Sequence, residues 1–306
     1  MKKTIEVNPE FASEIVLCVP YAYYLHKNDL LDCVVTSKGM KPFYYFCNNV
    51  VESFEARSLD NVLALKDVPN KWIHNSTSGG GRNGVIDYSE WIVPPYKEYY
   101  KNNLFDSLKP YVVVNNIFNV EPGPNGIKPY RYFDIQNLYD IFSYFKEKKY
   151  NVIYKRPLNN EFVVDQSEHT TLVNNLKITA NVEDIGVITD FDLCKYFNNV
   201  TILNDLQKQY DLDYNTLQLK LFSEADGFIT VNGGGGILCA YFDKPVVKYV
   251  NKGKELRPMY LEYPDSYINK LSKAKIYPVF DNIENWEKNG GRDYNKLMTT
   301  VQSIFN

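Results

Sequence analysis

Short apolar runs of strand length recur along the 306-residue chain, and in its second half they alternate with stretches of helical spacing. Residues 111–116 are apolar up to Asn115 and Asn116, and residues 150–154, 199–203, 227–231, 246–250 and 274–280 repeat that texture. Between them, Asp134 stands as an N-cap before Leu138, Ile141, Phe142 and Phe145, and Asp213 before Tyr214, Leu217, Leu221 and Ala225. Continuous apolar strands separated by helices predict a parallel sheet wound on both faces. In the first half, residues 15–19 read as a strand ended by Pro20, residues 21–26 as a crossing helical turn and residues 31–36 as a second strand. The texture changes near Lys109-Pro110, which divides the chain into residues 1–107 and 108–290. A last helix, 291–306, carries Tyr294, Leu297, Met298, Val301 and Phe305 on one face and is expected to pack back on the first domain.

The pattern is most specific at residues 225–250, which read as strand, four-glycine turn, helix and strand, one βαβ unit. Glycines at such a junction let backbone amides approach an anion without a Cβ in the way, and a helix N-terminus adds unsatisfied N–H groups. A tight turn needs one or two glycines, whereas each glycine entering the first helical turn gives up roughly 1 kcal/mol. The run Gly233, Gly234, Gly235, Gly236 before Ile237 therefore predicts a phosphate as guest. Ligands of doubly wound sheets bind outside the carboxyl ends of the strands, so Asn115, Asn116, Lys155, Arg156, Asn204, Asp205 and Asn232 are expected to converge there. Arg156 is singled out because its planar fork can bond two phosphate oxygens. The basic loop holding Lys252, Lys254 and Arg257 is a second source of charge.

Composition narrows the partners. A 44% hydrophobic, 15% aromatic chain is globular, and a net charge of -3 without single-sign blocks disfavours nucleic acid and anionic membranes. Five cysteines without C-x-x-C spacing predict reduced thiols and, with no signal-like or 18-residue apolar stretch, a cytoplasmic protein without a membrane span. The dinucleotide fingerprint fails at Leu238, and no P-loop pattern occurs. Asp190 and Asp192 form a D-x-D that suits a hard divalent cation, but Asp211 and Asp213 repeat it, and the three histidines are too far apart for a local zinc pair. Acid–base chemistry in or beside the first domain falls to His26, Asp87, Glu90 or Glu121, all near expected loop ends.

The segment Asn232 to Gly236, the short helix to Phe242, and Lys244-Pro245-Val246-Val247 opening the next strand resemble the nucleotide-sugar half of GT-B glycosyltransferases, heptosyltransferase-type enzymes in particular. The likeness covers roughly residues 108–285. It implies two Rossmann-like α/β domains facing a cleft, with the glycine loop and following helix holding the donor's diphosphate. It further implies a hexosyl- or pentosyltransferase with a nucleotide sugar as donor substrate, no other cofactor, a glycan or glycoconjugate as acceptor, and inversion at the transferred carbon. Asn232 stands where that family usually carries an acid, so the donor type is not carried over. The alternatives are a metal-dependent GT-A enzyme using Asp190 and Asp192, and a non-catalytic nucleotide- or carbohydrate-binding module.

Overall fold

Six of the apolar runs pair into one all-parallel sheet in a computed structural model, which describes residues 1–58, 60–69, 91–118, 120–123, 126–157, 177–183, 186–250, 267–282 and 294–306. The first half carries a separate parallel sheet of β1 (Lys3–Glu6), β2 (Leu31–Ser37) and β3 (Val50–Phe54). The second half contributes β4 (Tyr111–Asn115), a hairpin of β5 (Val120–Gly123) and β6 (Gly126–Pro129), then β7 (Asn151–Lys155). A second hairpin, β8 (Thr179–Val182) and β9 (Gly186–Thr189), precedes β10 (Val200–Ile202), β11 (Gly227–Val231), β12 (Val246–Val250) and β13 (Ile276–Phe280). The large sheet runs β10-β7-β4-β11-β12-β13, so its order reverses between β4 and β11. Such a reversal opens a crevice at the carboxyl ends of the two central strands.

The expected helix caps form: Asp134 Oδ1 accepts the Asn137 N–H at 2.9 Å and Asp213 Oδ1 that of Thr216 at 2.9 Å. Residues 15–19 are helical, not a strand. The chain runs from Phe11–Ser13 through a π turn at Glu14–Cys18 into the Val19–Lys27 helix. Ile15, Leu17, Cys18, Val19 and Ala22 are all fully buried. A helix enclosed on every side is apolar all round, and so short an apolar run has no period to separate it from a strand. The π turn absorbs Pro20, which has no N–H to give to the preceding turn. Side chains from elsewhere take up the released carbonyls: Trp91 Nε1 donates to Val16 O at 2.6 Å, and the Tyr241 hydroxyl donates to Ile15 O.

The last helix, Asn295–Ile304, does not return to the first half. Leu297, Val301 and Phe305 enter the core made by Val112, Val114, Ile229 and Val247, one face of the large sheet. Tyr144 donates its hydroxyl proton to Phe305 O at 2.7 Å, and a Cβ on Gly227 would stand 2.5 Å from the Phe305 ring. On the opposite face Tyr111, Val113, Ile153, Phe228 and Val246 share one continuous core with Leu217, Leu221 and Phe222 of the second half's own Tyr214–Glu224 helix and with Phe11, Ile15, Phe43 and Tyr96 of the first half. That side of the sheet is thus already covered, and the final helix packs on the other. Among the described residues, no helix is long and apolar enough to cross a membrane.

Candidate functional site

The turn after β11 sits where the sheet order reverses. Gly233 has φ +136° and ψ −177°, a conformation that side chains disfavour, and it caps the Gly234–Leu238 helix. The next three glycines each face something different. A Cβ on Gly234 would lie 2.7 Å from the Phe11 ring of the first half, and one on Gly236 would lie 2.5 Å from Val231 O. A Cβ on Gly235 would lie 3.0 Å from both amide atoms of Asn115 and 3.3 Å from Lys155 Nζ. Four glycines therefore answer three separate close approaches and one special backbone angle.

Beneath Gly235 the sheet register lines up a row of polar side chains. Asn115 is paired with Lys155 of β7 and with Thr230 of β11, and Thr230 with Lys248 of β12. Registered neighbours on parallel strands point to one face, here the face that also meets the first half. Lys155 Nζ donates to Asn115 Oδ1 at 2.8 Å, and Asn115 Nδ2 donates to Thr230 Oγ1 at 2.8 Å. Lys155, Asn115, Thr230 and Lys248 are 3%, 0%, 0% and 1% exposed, so two ammonium groups lie in the interior under the turn. Their field reaches Cys239 at the end of the short helix. Burial pushes that thiol up to about 12, and both lysines pull against the rise.

The expected site residues divide by strand parity. Asn115, Gly233, Gly234, Gly235, Gly236 and Ile237 come together with Lys155, while Asn232 opens the turn and bonds through its backbone N–H to Tyr249 O at 3.0 Å. Asn116 and Arg156, one residue further along their chains, do not join them. Asn116 Oδ1 accepts from the N–H groups of Ile117 (3.0 Å) and Phe133 (2.9 Å), and its amide donates to Phe133 O (3.0 Å). Arg156 is 4% exposed and spends its fork on Asp190: Nη2 donates at 3.0 Å and Nε donates to the second oxygen. Its guanidinium carbon lies 4.3 Å from the Phe191 ring centroid. That fork is a buried structural pair and is not offered to a phosphate.

The same observation corrects the D-x-D reading. Asp190 accepts from Arg156 and, at 2.7 Å, from the Tyr154 hydroxyl, while Asp192 closes a capping box with Thr189 and meets Lys195 at 3.1 Å. The two carboxylates serve different partners. Asn204 and Asp205 lie in the Leu203–Tyr210 helix beyond edge strand β10, three strand spacings or about 14 Å from β11. His26 is exposed in the last turn of its helix, stacked on Tyr23 and roughly 20 Å along the helical run from Phe11 and the glycine turn. Asp87, Glu90, Lys252, Lys254 and Arg257 lie outside the described residues, as does the Glu121 side chain.

A carboxylate the pattern did not single out lies much nearer. Glu14, in the π turn one helical turn after Phe11, is fully buried. It accepts from the Thr36 hydroxyl, from the Tyr44 hydroxyl at 3.0 Å, and from the Arg57 guanidinium, which in turn stands 5.6 Å from the Phe11 ring centroid. The signal was an acid directly before the apolar run at residues 15–19, hidden because that run read as a strand. Lys248 carried a plainer signal, a charge inside Val246–Val250.

Among solved structures, Escherichia coli ADP-heptose lipopolysaccharide heptosyltransferase II superposes with a TM-score of 0.52 at 10% identity, covering 100% of this chain and 98% of that one. The glycosyl transferase family 9 structure from Veillonella parvula gives a TM-score of 0.49 at 8% identity, over 99% and 96% of the two chains. The first likeness shows the fold: an α/β chain of parallel sheets with helices on both faces, in the GT-B arrangement. No protein-family model and no curated protein matches the chain by sequence.

Proposed function

We propose that this protein is a glycosyltransferase that holds the diphosphate of a nucleotide sugar on the Gly233–Gly236 turn and transfers the sugar to a hydroxyl of a glycan or glycoconjugate. One observation carries the reading. A turn stripped of Cβ atoms stands at the reversal of the sheet order, directly over two buried lysines and the amide between them. The N–H groups of the turn and the Lys155 and Lys248 ammoniums are the charges that would stabilise a departing diphosphate. The shared GT-B fold and the heptosyltransferase named above support a nucleotide-sugar donor.

Glu14 is the base of this reading. It lies at the seam where the first half meets the glycine turn, and Arg57, Thr36 and Tyr44 hold it in one orientation. It would take the proton of the acceptor hydroxyl as that oxygen attacks the anomeric carbon, while the bond to the diphosphate breaks and its electrons leave with the phosphate oxygen. A single displacement of this kind inverts the anomeric centre, and it needs no metal when N–H groups and lysines carry the leaving charge.

The test is a panel of nucleotide sugars screened by thermal shift, since a true donor raises the melting temperature by mass action. Transfer and nucleotide release are then measured with the hit. Glu14→Gln is expected to keep donor affinity and lose transfer by about 100-fold or more, the usual share of a general base. A panel without any stabilising donor overturns the transferase reading, and wild-type transfer by a folded Glu14→Gln protein removes Glu14 as the base.

A further inference from the structure

A cavity of about 560 Å³ opens at the other end of the large sheet from the glycine turn. Its lining includes Pro110, Asp226 and Lys244, which immediately precede β4, β11 and β12, so it lies at the amino ends of the central strands. The length of β11, roughly 16 Å at 3.3 Å per residue, separates it from the turn, and the strands between are fully buried. The first half contributes Lys97, Glu98 and Lys101, from the Tyr96–Tyr99 helix and the residues after it. Beside the cavity the halves are pinned together: the Asn102 N–H donates to Glu224 Oε1 at 3.0 Å and its side-chain amide to Lys220 O at 3.0 Å.

The charges around this space are unequally committed. Asp226 Oδ2 accepts the Tyr111 N–H at 2.9 Å, and Glu224 Oε2 accepts from Lys109 Nζ at 2.8 Å, which also meets Asp106 at 2.8 Å. Those two carboxylates and Lys109 are therefore spent on the fold. Lys101 and Lys244 form no ion pair among the described residues, and Lys97 reaches Asp243 only at 3.6 Å. Of the lining carboxylates only Glu98 is left to oppose these three, and it is exposed. Lys244 opens the Lys244-Pro245-Val246-Val247 segment, and the phosphate reading of the turn gives its charge no task. The Phe228 N–H donates to Pro245 O at 2.9 Å, which fixes the backbone beside that lysine. Ammonium groups from both halves around one cavity suit a compact anion of more than one charge, and lysine binds phosphate as a point charge with three donors. The volume is that of a small-molecule pocket and far exceeds a phosphate ion.

We infer that this cavity is a second anion site, separate from the glycine turn, in which Lys97, Lys101 and Lys244 hold the phosphate of a small phosphate ester across the seam of the two halves. Calorimetric titration with glucose 6-phosphate and with inorganic phosphate tests it, in wild type and in Gly235→Ala protein, where the turn is blocked. Lys101→Gln and Lys244→Gln together remove two ammoniums without breaking an ion pair among the described residues, so the fold is kept. Lys208→Gln, in the exposed last turn of the Leu203–Tyr210 helix, is the control for net charge. Glucose 6-phosphate is expected to saturate one site in the Gly235→Ala protein and to bind more tightly than inorganic phosphate. The double lysine variant is expected to weaken it by about tenfold or more, the worth of one hydrogen bond to a charged group, and Lys208→Gln to leave it unchanged. Failure of both anions to bind, equal affinity in the double variant, or an equal loss in Lys208→Gln overturns the site. Inorganic phosphate binding as tightly as the ester overturns the ester as its guest. None of these outcomes touches the assignment of the turn, which Gly235→Ala tests by itself.

Discussion

Gly235→Ala is the sharpest probe of the polar row, because among Gly234, Gly235 and Gly236 only Gly235 faces it through the Asn115 amide and the Lys155 ammonium. The new methyl would stand 3.0 Å from the Asn115 amide atoms and 3.3 Å from Lys155 Nζ, so the amide must move by a few tenths of an ångström. That movement strains the 2.8 Å bonds from Lys155 to Asn115 and from Asn115 to Thr230. A hydrogen bond to a charged group is worth about 1.5–3 kcal/mol, and replacing a helical glycine by alanine returns about 1 kcal/mol. The fold should therefore lose about 0.5–2 kcal/mol and survive. The bound anion should lose the charge-assisted contact entirely, since the methyl also occupies its approach. That weakens binding about 10- to 150-fold, at tenfold per 1.4 kcal/mol. Pyrophosphate titration, with circular dichroism as the check on folding, gives the answer. Unchanged affinity in a folded Gly235→Ala protein would refute the argument and leave the row a structural feature.

Phe305→Ala is expected to cost about 3–5 kcal/mol in chemical denaturation, because the ring fills the space that Gly227 leaves, and wild-type stability would show that the final helix packs elsewhere. Arg156→Lys keeps the charge but loses the fork on Asp190, so the melting temperature should fall while KM for the donor stays put below the transition; a tenfold rise in KM at constant stability would restore Arg156 to the site. Burial raises the pKa of Glu224, but bonds from Lys109 Nζ at 2.8 Å and the Asn102 N–H at 3.0 Å outweigh it and hold the group below its usual value of 4.5. A depressed folded pKa stabilises above the unfolded one and is lost as pH falls through the folded one, so from pH 6 to pH 3 wild type should lose more stability than Glu224→Gln; parallel curves would contradict this.

The second half of the fold is legible because its strands are buried on both faces and its helices on one, so the texture switches at each boundary. The first half is not, for the same physical reason seen from the other side. The Glu14 to Ala22 stretch is buried throughout, in the core shared with the glycine helix, and enclosure erases the periodic pattern. Glu14, directly before the expected strand at residues 15–19, reads as a polar flank until the π turn and its three donors are seen. The final helix carries a clear apolar stripe, but a stripe does not say which surface receives it. The Tyr214–Glu224 helix and the first half already cover one face of the sheet, and that leaves Phe305 the other.

The site shows the limit more sharply. At the ends of β4 and β7 the chain offers two polar neighbours each, Asn115 with Asn116 and Lys155 with Arg156, and side chains alternate between faces along a strand. One of each pair must point away from the turn, and residue type does not say which. Arg156 has the better chemistry for phosphate, yet it belongs with Tyr154 and Val152 on the face that meets Asp190, while Lys155 follows Ile153 to the face under Gly235. The parity is decided by the apolar residues upstream. Ile153 joins the core shared with the first half and Tyr154 joins the core under the last helix, so the packing of residues with no chemistry of their own selects the lysine over the arginine. The same parity turns Asn115 to the row under Gly235 and Asn116 to the backbone of Ile117 and Phe133.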